Sequence, residues 1–103
     1  WLDPSEADRR TIHLGMAHFA TRNYQEAIDA FKRSPRLGHV HRAALAASHA
    51  ALGNNAAVET EVARALEQKS DFSVKAELRR TPYQFEADTE HHRDALLKAG
   101  LPA

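Results

Sequence analysis

The chain has 103 residues, 43% of them hydrophobic, and its 14 basic and 14 acidic side chains cancel to zero net charge with neutral histidines. That length holds one modest domain, and balanced charge argues against a general nucleic-acid coat or a polybasic membrane binder. The absence of cysteine removes disulfides, thiolate metal sites and thiol nucleophiles, and no apolar run approaches the roughly 18 residues of a membrane span.

Alanine makes up about a fifth of the chain, with only four glycines and four prolines. Alanine is the best helix former and lets helices approach closely. No alternating β-branched run is present, so an all-α fold is expected. The first predicted helix opens at Asp3-Pro4-Ser5-Glu6, with Asp3 as cap and Glu6 reaching back, and runs to about Ala20 or Thr21. Ile12, Met16 and Phe19 form one apolar side, and Leu14 and Ala17 a second, which predicts neighbours on more than one face. Asn23 to Glu26 reads as another capping box. It starts a helix whose inward stripe is Tyr24, Ala27, Ile28 and Phe31, ended by Pro35.

A third, alanine-rich helix is expected from about His39 to Leu52, stopped by Gly53. Asn54 reads as the cap of a fourth, about Asn55 to Lys69, with Val58, Val62, Ala65 and Leu66 inward. Asp71 reads as the cap of a short fifth helix, about Phe72 to Arg80, broken by Pro82. The sixth is expected from about Glu86 to Ala99, anchored by Leu96 and Leu97 and ended by Gly100 and Pro102.

One constant shift along the chain lays Leu14 on Leu45, His18 on His49, Ala27 on Val58, Phe31 on Val62 and Arg33 on Arg64. Side-chain size or chemistry is kept at the inward positions of both hairpins, the mark of a helix–turn–helix unit used twice. The units run about 8–38 and 39–69, with closing helices at about 72–99. Stacking is what stabilises such units, because each alone leaves an apolar face open.

These residues resemble the tetratricopeptide repeat family. Leu14-Gly15, His18, Ala27, Phe31 and Ser34 carry its spacing in the first unit, and Leu45-Ala46, His49, Gly53, Val58, Val62 and Ala65 in the second. Gly15 stands where the two helices of a unit cross. The chain departs from the pattern at Val58, in a linker about three residues short, and at His39, near the place of the expected proline. The segments Asp71-Phe72-Ser73, Thr81-Pro82-Tyr83, His91 to Leu97 and Lys98-Ala99-Gly100-Leu101-Pro102 are similar to a tail of bacterial signalling proteins. In those proteins the repeats follow a class III adenylate/guanylate cyclase domain or a winged-helix transcription-regulator domain. The resemblance implies a right-handed stack of two hairpins whose open end the sixth helix covers, its start weakened by Phe85-Glu86 in place of Asp-Pro. A chain that begins at Trp1 then reads as a piece of a longer, cytoplasmic protein.

The resemblance also implies a concave groove lined by the first helix of each unit. By carry-over its wall includes Arg9, Ile12, His13, Met16 and Phe19 from the first unit and Val40, Ala44 and Ala47 from the second. Ile12 and Met16 stand where carboxylate-clamping members have polar residues, so no clamp is expected. An apolar wall containing methionine suits a helix or apolar peptide from a protein partner, or a second copy in a homodimer. The alternative is that Ile12, Met16 and Phe19 pack against the fifth helix or an absent preceding repeat.

Other chemistries find less support. His39, His41 and the His91-His92 pair invite a metal, but neighbours one or two apart on a helix do not face one another, and zinc needs three or four converging ligands. No nucleophile elbow or phosphate loop accompanies the serines. Asp88, Glu90 and Asp94 read as a solvated helix face. Lys32, Arg33, Arg36 and Arg42 with His39 and His41 form a basic cluster, which reads first as a solubilising loop and second as an anion or nucleic-acid contact. The expectation is a non-catalytic interaction module with no cofactor, no metal, no nucleic acid and no membrane contact.

Overall fold

The computed structural model describes residues 4–34, 37–80 and 83–103. Six helices and no strand occur among them: α1 (Pro4–Ala20), α2 (Tyr24–Lys32), α3 (His39–Ala51), α4 (Asn55–Gln68), α5 (Val74–Arg80) and α6 (Glu86–Lys98). None is long and apolar enough to cross a membrane. The expected Asp3 cap and the breaks at Pro35 and Pro82 lie outside the described residues.

α1 and α2 pack as one hairpin and α3 and α4 as another, with α2 against α3. The crossing inside the first hairpin depends on Gly15. A Cβ there would lie 2.6 Å from the Phe31 ring, inside van der Waals contact. Phe31 is therefore fully buried against bare backbone, and the hairpin closes tightly because one residue has no side chain. Ala46, which stands at the equivalent place in the second hairpin, is also fully buried.

The two hairpin turns are the same structure. Arg22 and Gly53, equivalent under the shift that relates the hairpins, have φ of 65° and 79°. The Asn23 amide donates to the His18 carbonyl at 2.8 Å and the Arg22 amide to Phe19 at 3.1 Å; Asn54 donates to His49 at 3.0 Å and Gly53 to Ala50 at 3.2 Å. Each pair is the double bond of a left-handed helix stop, which satisfies the last free carbonyls. Neither Asn23 nor Asn54 makes the side-chain cap expected of it. The Asn23 amide group donates to Thr21 Oγ1, and that of Asn54 bonds His49 Nδ1. The same stop ends α6, where Gly100 (φ 91°) donates to Leu97 and Leu101 to Leu96.

The third pair keeps the helix spacing but not the stacking. α2, α4 and α6 begin at Tyr24, Asn55 and Glu86, two equal steps along the chain. α6 nevertheless packs on α3 and reaches α1, in addition to its hairpin partner α5. Its main contact with the hairpins is α3 of the second, and it touches α1 of the first near Phe19. The tail locks this hairpin: the Val74 amide, free at the start of α5, donates to the Pro102 carbonyl at 2.7 Å. Ser73 Oγ, not Asp71, caps α5 by accepting from the Ala76 amide at 3.0 Å, while Asp71 pairs with Lys69. Two leucines expected to pack inward are largely open. Leu97 is 42% and Leu14 46% exposed, so the second apolar side of α1 faces solvent.

The turns give the repetition a direct test. An L-residue in the left-handed region costs about 1 kcal/mol more than glycine. Arg22→Gly is expected to raise Tm by roughly 4–8 °C and Gly53→Arg to lower it by a similar amount. Thermal denaturation followed by circular dichroism reads both, and a change of the wrong sign at either position contradicts equivalent turns.

Candidate functional site

The residues expected to line the groove divide into two groups. Phe19, Ala44 and Ala47 are fully buried. Ile12, Met16 and Val40 are half-buried, and Arg9 and His13 are exposed. α6 causes the division. It lies along the wall formed by α1 and α3, so half of the expected groove is already occupied by the chain itself. Phe19, expected either to line the groove or to pack with Ile12 and Met16 on the fifth helix or an absent repeat, packs instead on α6.

Five rings make the contact. The Phe19 ring centroid is 5.2 Å from His91, tilted, and 5.3 Å from His92, edge to face. Tyr24 Oη and His91 Nε2 are hydrogen-bonded at 2.7 Å. Tyr83 Oη and His92 Nδ1 are hydrogen-bonded at 3.1 Å, with their rings edge to face at 5.7 Å. Consecutive residues on a helix point about 100° apart, so His91 and His92 straddle the seam. His91 reaches back to the start of α2, and His92 enters the core. Each ring thus supplies apolar area and places one polar atom on a tyrosine.

The histidines feel this burial. His92 is held down to about 4, by burial and then by His91. Burial and then Arg22 lower His91, against the opposing pull of Asp88 and Asp94. Tyr83 is raised by burial and then by Asp88.

Beside the rings, a cleft of about 390 Å³ opens between the α1–α2 turn, the end of α3 and α6. Ala47, Ala51, Ala87 and Ala95 form small-residue walls, and Arg22, Lys98, Glu90 and Asp94 carry its charges. Two cations and two carboxylates leave no net sign to select a charged ligand. The acidic run of the sequence is therefore split: Glu90 and Asp94 border this cleft, and Asp88 acts on Tyr83 and His91.

The basic cluster does not converge. Arg42 pairs with buried Glu61 of α4 at 3.0 Å, and Arg64 meets the same carboxylate at 3.3 Å. His39 lies 3.4 Å from buried Glu77 of α5. His41 packs near Phe31 and is lowered by burial, then by His13 and His39. Lys32 and Arg33 are exposed, and Arg36 lies outside the described residues. Among the described residues no three histidine or acidic side chains are grouped to hold a metal. His49 is buried and His18 half-buried, matching their inward repeat positions.

The Tyr24–His91 pair escapes a sequence reading because its members are 67 residues apart. The available signal is the stripe Asp88, His91, His92, Ala95, Leu96, Ala99, which has helical spacing once histidine is counted as a core residue. No family model matches this chain, and neither a curated protein nor a solved structure matches it.

The buried histidine gives the fold an acid limit. An unfolded His92 takes up a proton near its ordinary value of 6.5, but the folded one only near about 4. Between those values the unfolded state holds more protons, so stability is full above about pH 6.5 and falls as pH drops towards 4. That site alone removes about 3 kcal/mol. Urea denaturation at about pH 7 and about pH 4 is expected to show a loss larger by about that amount in the wild type than in His92→Phe. Equal losses contradict a neutral, buried His92.

Proposed function

We propose that this chain is a non-catalytic protein-interaction and regulatory module built from tetratricopeptide-like hairpins. The observation that carries this reading is the pair of equivalent turns at Arg22 and Gly53, which repeat the same two backbone hydrogen bonds one hairpin apart. Equivalent turns joined to small, buried residues at the corresponding positions Gly15 and Ala46 are what a repeated unit requires. Such units set their first helices side by side, and α1 and α3 are in contact here.

The resemblance of the tail supports a position at the C-terminus of a bacterial signalling protein, such as a class III adenylate/guanylate cyclase in the cytoplasm. The module would act by holding a protein partner or a second copy. Catalysis by such cyclases needs two catalytic domains to meet, so a module that associates sets the geometry of what is attached to it. The uncovered margin of the wall is the contact surface: exposed Arg9 and His13 with half-buried Ile12, Met16 and Val40. The fully buried Phe19 is unsuited as a surface probe, since a charge there disrupts the core.

The test combines Arg9→Glu, His13→Glu and Met16→Asp in the whole chain, with helix content monitored. Sedimentation velocity reads self-association, and quantitative enrichment from bacterial lysate reads partner capture. A loss of at least tenfold in one of them is expected. Equal association and equal enrichment contradict a role for this wall.

A further inference from the structure

α6 is seated in the way a bound helix is seated in a groove. His92 and Leu96 are fully buried, one turn apart, and Ala99 continues their stripe; His91 and Ala95 are half-buried beside them. Glu90, Arg93, Asp94 and Leu97 on the other side are exposed. The receiving surface is the ring of Phe19 on α1 and the small side chains of α3, where Ala47 and Ala51 border the same cleft as His91 and Ala95. Alanines on the receiving helix let the second helix lie close, and Phe19 contacts both histidine rings.

Other contacts show how α6 is held. Its packing partners are α3, α5 and α1. Its first turn has no side-chain cap, and Phe85 at the cap position is 63% exposed. Of its two tyrosine bonds, that of His91 to Tyr24 reaches the first hairpin, whereas that of His92 to Tyr83 lies within the closing segment. The α5–α6 hairpin is closed on itself through Val74 and Pro102. It meets the first two hairpins through one face of α6, and through Glu77 and Phe72, which both face His39 at the start of α3; lifting α6 bares Phe19 and the alanine wall.

We propose that α6 is an intramolecular ligand of a helix-binding groove formed by α1 and α3. The external ligand is an amphipathic helix that reproduces its buried stripe, a planar ring followed one turn later by leucine, and binds by displacing it. This rests on the reading of the chain as an interaction module and adds the class of partner and its regulation. The tether gives α6 a high effective concentration, so the groove is closed to weak competitors. Whatever loosens α6 raises the competent fraction and the apparent affinity together.

The probe is a fluorescein-labelled peptide of residues 83–103, the chain's own covering segment, titrated with the full chain and read by anisotropy. Leu96→Asp in the chain loosens its own α6, and Leu96→Ala shortens the same anchor without adding charge. The expected result is peptide binding at least tenfold tighter to a Leu96 variant than to the wild type, with the gain lost when Phe19→Ala is added. Equal binding by wild type and variants, or a gain independent of Phe19, overturns the proposal. So does collapse of helix content in both Leu96 variants, since α6 is then an inseparable part of the core. The assay needs no natural partner, so its failure is distinct from failure of the sedimentation and enrichment test.

Discussion

The fold is organised by a helix with no side left for solvent. Seven consecutive residues of α3, Ala43 to His49, are buried, and α4, α6, α2 and α1 all pack on it. A helix surrounded in this way needs side chains that let every neighbour approach, and four of the seven are alanine. Ser48, the hydroxyl in the run, donates to the Ala44 carbonyl of its own helix at 2.9 Å, so its burial leaves no donor unmet. Extra volume at these positions has nowhere to go, because packed interiors hold few voids larger than a water molecule. The same demand appears at Gly15, where bare backbone receives Phe31.

Charge is handled at the edges of this core by pairing. Glu61 lies on the inward stripe of α4, where a purely apolar residue fits the pattern, and Arg42 and Arg64 answer it. Glu77, also buried, has the Arg80 guanidinium of its own helix at 4.0 Å and the His39 ring of α3 at 3.4 Å. Paired buried charges add little net stability, but loss of one partner is costly. These contacts therefore act mainly on register: Arg42–Glu61 ties α3 to α4, and His39–Glu77 ties α3 to α5. The histidines that cover Phe19 do similar work with rings, at the cost of acid sensitivity.

Much of the architecture is legible in the sequence because backbone chemistry is local. The ends of α1 and α3, the start of α6 and the even spacing of the hairpins follow from glycine, alanine and helical periodicity. Asn23 and Asn54 mislead because asparagine serves equally as a helix cap and as the residue after a left-handed stop, and only the backbone geometry separates the two. Leu97 misleads as an anchor because adjacent leucines cannot share a helix face, and pattern alone does not say which one turns inward. The candidate groove is half legible. Its wall follows from the repeat spacing, but its occupant does not, because His91 and His92 read as polar until Phe19, Tyr24 and Tyr83 are seen around them.

We infer that the two hairpins form a body on which α6 rests as a separable element. Native-state hydrogen exchange, resolved by residue, tests this most directly, since cooperative units open at their own free energies. Amides of α6 are expected to exchange through an opening of lower free energy than those of α3, while α3 exchanges only with global unfolding. A single opening free energy shared by α3 and α6 contradicts it.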